Sequence, residues 1–140
     1  MADLHRTTRS NALALALSLA LAPAAHAASA QSPPSRADQI GAATALIGRV
    51  VPDAAAHFRV GWLPIEEGRD VFEVESVGSD VVLRGSSGVA IASALKWYLE
   101  NVVGTNIAIP VRPLHLPAPL PAVSGKVRVT TPYRYRYFFN

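Results

Sequence analysis

The fold is decided by residues 82–99, which read Val-Leu-Arg-Gly-Ser-Ser-Gly-Val-Ala-Ile-Ala-Ser-Ala-Leu-Lys-Trp-Tyr-Leu. The first residues complete a short strand, Asp80–Arg84, which Gly85 ends. Ser86 or Ser87 can begin a helix, because a serine oxygen accepts a hydrogen bond from an amide of the first helical turn. The stretch therefore predicts a strand that leads directly into an amphipathic helix. The apolar face of that helix contains Ile91, Leu95, either Tyr98 or Leu99, and Val102.

Another helix is predicted upstream, starting near Ser35. Ser35 and Asp38 have the spacing of a capping box, in which each side chain accepts a hydrogen bond from the other residue's amide. Pro52 ends this helix, because proline cannot continue the ladder of helical hydrogen bonds. Apolar residues recur at helical spacing between these limits: Ile40, Ala43, Ile47 and Val50.

The segment between the two helices alternates as β-strands do. His57–Leu63 and Asp70–Val77 are predicted strands, and Gly78-Ser79 provides a tight turn into the return strand. In the second of these strands Glu73 and Glu75 share one face, which we expect to be solvated. The order of elements predicts an α+β domain with a small, mostly antiparallel sheet and two helices on one face.

The chain changes character after the second helix. Prolines at positions 110, 113, 117, 119 and 121 exclude a helix there and favour an extended connector. Thr105–Ile109, Lys126–Thr130 and Arg134–Phe139 are predicted to be further strands. The last of them is strongly aromatic, and we expect it to be buried against polypeptide that follows it. The sequence is therefore expected to be a fragment of a longer protein.

Residues 1–27 have the composition of a secretory signal peptide. A basic start is followed by an uncharged run, Ala12–Ala22, which has about half the ~20 residues that span a bilayer. Ala25-His26-Ala27 has the small-x-small form of a cleavage site. We expect cleavage near Ala27, export to the periplasm or the extracellular space, and no stable membrane anchor. Residues 28–36 are predicted to be a flexible leader.

The composition excludes several classes of site. The chain has no cysteine, so disulfides, thiolate metal sites and lipid attachment through cysteine are excluded. His57 and His115 have no second ligand at a useful spacing, so we expect no metal and no cofactor. The net charge of +3 is too small to indicate nucleic-acid binding. A late basic group is expected on a solvated or interface-facing strand: Lys126, Arg128, Arg134 and Arg136.

The candidate nucleophiles and acids have stronger structural explanations. Ser87 stands where a hydrolase elbow would place its serine, but the required Gly-x-Ser-x-Gly pattern is absent. The strand rise puts the Cα atoms of Glu73 and Glu75 about 7 Å apart, a spacing that superficially fits two catalytic carboxyls. Nothing beside them is placed to separate their pKa values. We therefore predict no catalytic residue in this chain, and this includes the loop pair Glu66 and Glu67.

Aromatic side chains are a further candidate, because sugars stack on them. Trp62, Trp97 and Tyr98 each stand at strand or helix spacing. We expect core packing to be the role of at least two of them.

Two segments together resemble the start of the alpha-N-acetylglucosaminidases, glycoside hydrolase family 89. One is Val82–Ala90, continued by Ala94–Leu99, and the other is Pro132–Asn140, which reads Pro-Tyr-Arg-Tyr-Arg-Tyr-Phe-Phe-Asn. A proline-rich connector and Gly125 lie between them. The resemblance covers roughly residues 37–140, and the Tyr-Arg-Tyr-Arg-Tyr ending makes it specific to this family.

The resemblance implies how the chain is organised. Residues 37–125 would be the small N-terminal accessory domain, and residues 126–140 the connector and the start of a TIM-barrel catalytic domain that is missing here. Asn140 would match a family asparagine close to the bound sugar. The two catalytic glutamates of these retaining enzymes would lie in the barrel.

The expected function is that of a non-catalytic N-terminal fragment of an exported enzyme. The intact enzyme would hydrolyse terminal alpha-linked N-acetylglucosamine from glycans, and the partners would be that glycan and the missing catalytic domain. Two alternatives stay open. One is a free-standing exported carbohydrate-binding or interaction module, and the other is a small hydrolase that uses Glu73 and Glu75.

Overall fold

The computed structural model describes residues 32–105, 107 and 112–132, which belong to the second of two units of the chain, Ser32–Asn140. The predicted signal peptide, residues 28–31 of the predicted leader and the predicted strand Arg134–Phe139 lie outside the described residues. The helices and strands are α1 (Arg36–Val50), β1 (Phe58–Trp62), β2 (Val71–Val77), β3 (Asp80–Gly85), α2 (Gly88–Tyr98) and β4 (Val127–Thr130). A 3-10 helix, Pro52–His57, follows α1, and a π-helical turn, Leu99–Val103, extends α2.

Helix α1 begins at the predicted capping box. The Ser35 hydroxyl accepts a hydrogen bond from the Asp38 amide at 3.2 Å, and the Asp38 carboxylate accepts one from the Ser35 amide at 3.0 Å. These bonds give partners to amides that no preceding helical turn can pair. The helix ends at Val50, and Pro52 begins the 3-10 helix. The predicted start, end and buried face of this helix are therefore confirmed.

The sheet is mixed, which corrects the prediction of a mostly antiparallel one. Its strand order is β1-β3-β2-β4. Strand β2 is antiparallel to both of its neighbours, whereas β1 runs parallel to β3, with Phe58 opposite Val81 and Trp62 opposite Gly85. The segment between β1 and β2 crosses over one strand position, and β3 later occupies that position between them. Alternation along a strand indicates its buried face but not its neighbour or direction, so the sequence did not reveal this pairing.

Both helices cover the same face of the sheet, as predicted. Gly85 lets α2 pack closely on β3, and Gly88 lets α2 pack closely on α1. A Cβ atom on Gly85 would lie 2.6 Å from the Ile91 amide nitrogen, and one on Gly88 would lie 3.2 Å from the Gln39 carbonyl oxygen. The Gly88 amide donates a hydrogen bond to the Gln39 side-chain oxygen at 3.0 Å. This bond joins α1 to the start of α2.

The core lies between the sheet and the helices. Tyr98 is fully buried, and its ring meets the Phe58 ring edge to face with centroids 5.7 Å apart. The Tyr98 hydroxyl donates a hydrogen bond to the Pro121 carbonyl oxygen at 2.8 Å. The Leu114 amide bonds the Val50 carbonyl oxygen at 2.7 Å. The proline-rich connector is thus fastened to the core at two points.

Candidate functional site

The sheet face opposite the helices carries one row of residues from all four strands. Gly61 on β1 stands opposite Arg84 on β3, Arg84 stands opposite Glu73 on β2, and Glu73 stands opposite Arg128 on β4. Opposite charges in such cross-strand positions attract each other. We use the name ion-pair cluster for this row's charged residues together with the others that contact them: Glu66, Glu73, Glu75, Arg84, Lys126 and Arg128.

Glu73 is the centre of the ion-pair cluster and is only 7% exposed. Its carboxylate accepts a hydrogen bond from Arg128 and lies 3.6 Å from the Arg84 guanidinium and 3.7 Å from the Lys126 ammonium. Long cationic side chains from neighbouring strands bury it. The expectation that Glu73 lies on a solvated face is therefore wrong, because alternation along β2 contains no information about what its neighbours cover.

Glu75 is held in the charged form. The hydrogen bond from Arg84, with help from the charge of Lys126, keeps the pKa of the Glu75 carboxyl below its usual value of 4.5. A retaining glycosidase needs one carboxyl with a raised pKa, so that it can act as a general acid. The cations beside Glu75 shift its pKa in the opposite direction. The arrangement therefore does not favour a catalytic pair.

Lys126, just before β4, and Arg128 within it do not form a positive patch. Lys126 lies 3.6 Å from the Glu75 carboxylate, and Arg128 bonds both Glu66 and Glu73. The hydrogen bonds that Arg128 donates to the carboxylates of Glu66 and Glu73 raise the pKa of its guanidinium. The ion-pair cluster thus matches three carboxylates with three cations. Arg134 and Arg136, the other members of the predicted basic group, lie outside the described residues.

The two serines between β3 and α2 have structural partners. The Ser86 hydroxyl donates a hydrogen bond to the Asp70 carboxylate at 2.9 Å and accepts one from the Val71 amide at 2.9 Å. The Ser87 hydroxyl accepts a hydrogen bond from the Ala90 amide at 3.1 Å and caps α2. The prediction that a serine caps this helix is confirmed, and Ser87 is the cap.

His57 and His115, the two histidines among the described residues, each pair with one carboxylate. His57 Nδ1 lies 3.5 Å from Asp80, and His115 Nδ1 lies 2.6 Å from Asp53. His57 and Asp53 also line a recess of about 170 Å³ beneath the proline-rich connector. Across residues 32–105, 107 and 112–132, histidine and carboxylate side chains do not gather into a group of three that could hold a metal ion.

Three aromatic residues, Trp62, Trp97 and Tyr98, pack against the core, as predicted for at least two of them. Tyr98 is fully buried, and Trp62 and Trp97 are partly buried against the core cluster. The Arg36 guanidinium lies 5.3 Å from the centroid of the Trp62 ring. A cation in this position occupies the ring face on which a sugar would stack.

Two further predictions concern the sugar contact and the membrane anchor. Asn140, the predicted sugar-binding residue, lies outside them. Within the part of the chain that the structure describes, every helix is too short or too polar to cross a membrane.

The role of Gly61 was not predicted from the sequence. A Cβ atom at this position would lie 2.9 Å from Arg84 Cγ, so glycine leaves room for the arginine to lie across β1. The ion pair between Glu66 and Arg128 was also not expected, because 62 positions separate the two residues. Only the pairing of β2 with β4 brings them together.

Comparison with known proteins gives consistent matches. The model of a family described as the alpha-N-acetylglucosaminidase N-terminal domain matches residues 41–122. Human alpha-N-acetylglucosaminidase is 39% identical over 109 residues, which cover 74% of this chain and 15% of the human protein. The chain therefore spans less than a sixth of that relative.

Solved structures of family 89 glycoside hydrolases from Clostridium perfringens are also similar. One, in complex with 2-acetamido-1,2-dideoxynojirmycin, superposes with a TM-score of 0.63 and is 31% identical. Another, a doubly substituted form in complex with its substrate GlcNAc-alpha-1,4-galactose, gives a TM-score of 0.60 and 32% identity. Each alignment covers 71% of this chain and 12% of the bacterial one.

Proposed function

The chain belongs to the family of alpha-N-acetylglucosaminidase N-terminal domains, and from this we propose that it is the non-catalytic accessory part of an exported alpha-N-acetylglucosaminidase. The intact enzyme would remove terminal alpha-linked N-acetylglucosamine from glycans. A bacterial relative bound to GlcNAc-alpha-1,4-galactose supports this class of substrate. The partner within the enzyme would be a downstream catalytic domain.

One observation carries the proposal. The family match spans residues 41–122, which include most of α1, strands β1 to β3 and α2, whereas the relatives are several times longer than this chain. The chemistry of the described residues agrees with an accessory role. Glu73 and Glu75 are neutralised by cations, and the hydroxyls of Ser86 and Ser87 are engaged in structural hydrogen bonds.

The experiment is an assay of the purified 140-residue chain with p-nitrophenyl alpha-N-acetylglucosaminide. We expect no release of p-nitrophenol above the uncatalysed rate. Release that disappears in Glu73→Gln but persists in Glu67→Gln would overturn the proposal in favour of a small hydrolase. Titration calorimetry with N-acetylglucosamine oligosaccharides tests the other alternative, because tight saturable binding by the isolated chain would favour a carbohydrate-binding module.

Export is the second part of the proposal. Its support is the basic start, the short apolar run and the small-x-small sequence that ends at Ala27. Expression in a bacterium with a Sec pathway should yield a periplasmic or secreted protein whose N-terminus, read by mass spectrometry, follows Ala27. Replacing Ala27 with a bulky residue, as in Ala27→Phe, should block this cut. A cytoplasmic product with an intact N-terminus would contradict export.

Asn140 remains the proposed contact with the sugar in the assembled enzyme. The support is its place at the end of the Tyr-Arg-Tyr-Arg-Tyr segment. In an active enzyme that contains this segment, Asn140→Ala should lower kcat/KM at least tenfold, whereas Asn101→Ala on the π-helical turn after α2 should leave it unchanged. Equal activity of the two variants would remove Asn140 from the site.

A further inference from the structure

Three strands end at one edge of the sheet. Strands β1 and β3 are parallel and β4 is antiparallel to β2, so Trp62, Gly85 and Thr130 all lie at this edge. Both helices also begin there, because α2 follows β3 directly and Arg36, the first residue of α1, contacts the Trp62 ring. We define the exit end as this edge with residues 63–70, 85–89 and 131–132. The described chain leaves the sheet through it.

Two large aliphatic side chains are exposed at the exit end. Ile65 is 60% exposed and Val89 is 61% exposed. Among the described residues one other large aliphatic side chain is comparably exposed, Val77 at 57%, and it lies at the opposite end of the sheet beside the Gly78-Ser79 turn. A single exposed aliphatic side chain is ordinary. At the exit end Val89 lines a recess, and Ile65 is the chain neighbour of Glu66, which lines another.

An apolar recess of about 520 Å³ lies where the two helices begin. Its lining includes Pro34, Ala42, Val89 and Ala92. A second recess, of about 210 Å³, is lined in part by Phe72, Val129 and Pro132. The Glu67–Arg69 and Glu66–Arg128 ion pairs lie beside a third recess, on the sheet side of the same edge. Apolar recesses bordered by charged residues are typical of protein interfaces.

We propose that the exit end is the surface on which the downstream catalytic domain packs. This rests on the proposed function. The connectivity selects the occupant: the Thr131 amide bonds the Asp70 carbonyl oxygen at 2.8 Å, so polypeptide after Pro132 starts on this surface. A tethered domain reaches an adjacent surface at high effective concentration, which favours it over any free partner. Ile65 and Val89 would then be buried in the interface, and Val77 would stay exposed.

The first step of the test concerns the partner itself. Sequencing the genomic DNA beyond the codon for Asn140 should show continued coding sequence for a large domain. A stop codon there would overturn the proposed function, and the docking proposal would fall with it for lack of an occupant. Continued coding sequence supplies the full gene product that the second step uses.

The second step compares that full gene product with the 140-residue chain by hydrogen exchange and mass spectrometry. We expect peptides covering residues 63–69 and 87–92 to gain at least tenfold protection in the full product. Peptides covering the turn at 77–80 should exchange equally in both proteins. Protection gained at the turn instead, in a product that hydrolyses alpha-N-acetylglucosaminides, would overturn the docking surface and leave the proposed function intact.

Matched variants give an independent measurement. Ile65→Asp and Val89→Asp each place a charge at the exit end, and Val77→Asp places the same charge on a side chain of similar exposure at the other end. All three sites are exposed, so the isolated domain should fold in each case. In the full product the first two variants should lower the Tm by several degrees and Val77→Asp should not. Equal shifts in all three would contradict the proposal.

Discussion

Arg84 lies across the backbone of Gly61, and a Cβ atom on Gly61 would come within 2.9 Å of Arg84 Cγ. Gly61→Ala should therefore displace the arginine from Glu73 and Glu75 and lower the free energy of unfolding by about 1–3 kcal/mol, the usual cost of overpacking. Urea denaturation measures this. Gly48→Ala is the control, because its Cβ atom meets open space in α1 and should stabilise the chain by about 0.5–1 kcal/mol. Equal effects of the two substitutions would contradict this account.

Glu73→Gln should destabilise the domain, because it leaves Arg84, Lys126 and Arg128 with one carboxylate fewer on a largely buried site. The expected loss is about 1–3 kcal/mol in the free energy of unfolding. Removing one partner of a buried ion pair leaves the other charge desolvated without compensation, and this penalty exceeds the net stabilisation that the intact pair provides. Glu67→Gln, at a side chain that is 79% exposed, should change stability by less than about 0.5 kcal/mol. If Glu73→Gln left the free energy of unfolding unchanged, this would show that water screens the charges of the ion-pair cluster.

The lowered pKa of Glu75 predicts a loss of stability in acid. Because Arg84 and Lys126 favour the charged carboxylate in the folded state, its stabilising effect is present above the unfolded pKa near 4.5. It is lost as the pH falls through the lower folded value. Unfolding free energies measured across this range should fall less steeply in Glu75→Gln than in the natural chain. Parallel curves would mean that other carboxyl groups control the acid response.

Tyr98→Phe should cost about 1 kcal/mol, because it removes the hydrogen bond that fastens Pro121 to the core. Burial raises the pKa of Tyr98 from its usual 10.0 to about 12. The neutral phenol therefore contributes its stability fully below pH 10, and this contribution is lost as the pH rises toward 12. The phenylalanine variant should lack that part of the alkaline decline. Thermal unfolding at neutral and alkaline pH compares the two chains.

Ser87→Ala should lower the free energy of unfolding by about 1 kcal/mol, as expected when a helix loses its N-terminal cap. Ser93→Ala provides a control in the same helix, because the Ser93 hydroxyl bonds only the Val89 carbonyl oxygen on an exposed turn. It should change stability by less than about 0.5 kcal/mol. Denaturation monitored by far-ultraviolet circular dichroism would decide, and similar losses in both variants would argue against the cap.

Local features of this domain were predictable because their causes are local. The capping box of Ser35 and Asp38, the stop at Pro52 and the Gly78-Ser79 turn depend on residues a few positions apart. Each was read from spacing alone, and each is present. The same holds for the amphipathic face of α2, which the periodicity of its apolar residues defines.

Features that depend on distant pairings were not predictable. The parallel alignment of β1 with β3 requires a choice among neighbours that alternation does not encode. The burial of Glu73 follows from that sheet order, since Arg84 and Arg128 reach it from strands on either side. Gly61 acquires its role only once Arg84 is placed beside it. The ion-pair cluster is therefore a property of the assembled sheet.

The equal numbers of opposite charges in the ion-pair cluster have a consequence for diffusing molecules. Three carboxylates and three cations that lie side by side carry no net charge, and the field that remains is screened beyond the Debye length, about 8 Å at physiological ionic strength. The ion-pair cluster therefore has no net charge with which to steer an approaching charged molecule. Association rates that depend on this cluster should respond little to added salt.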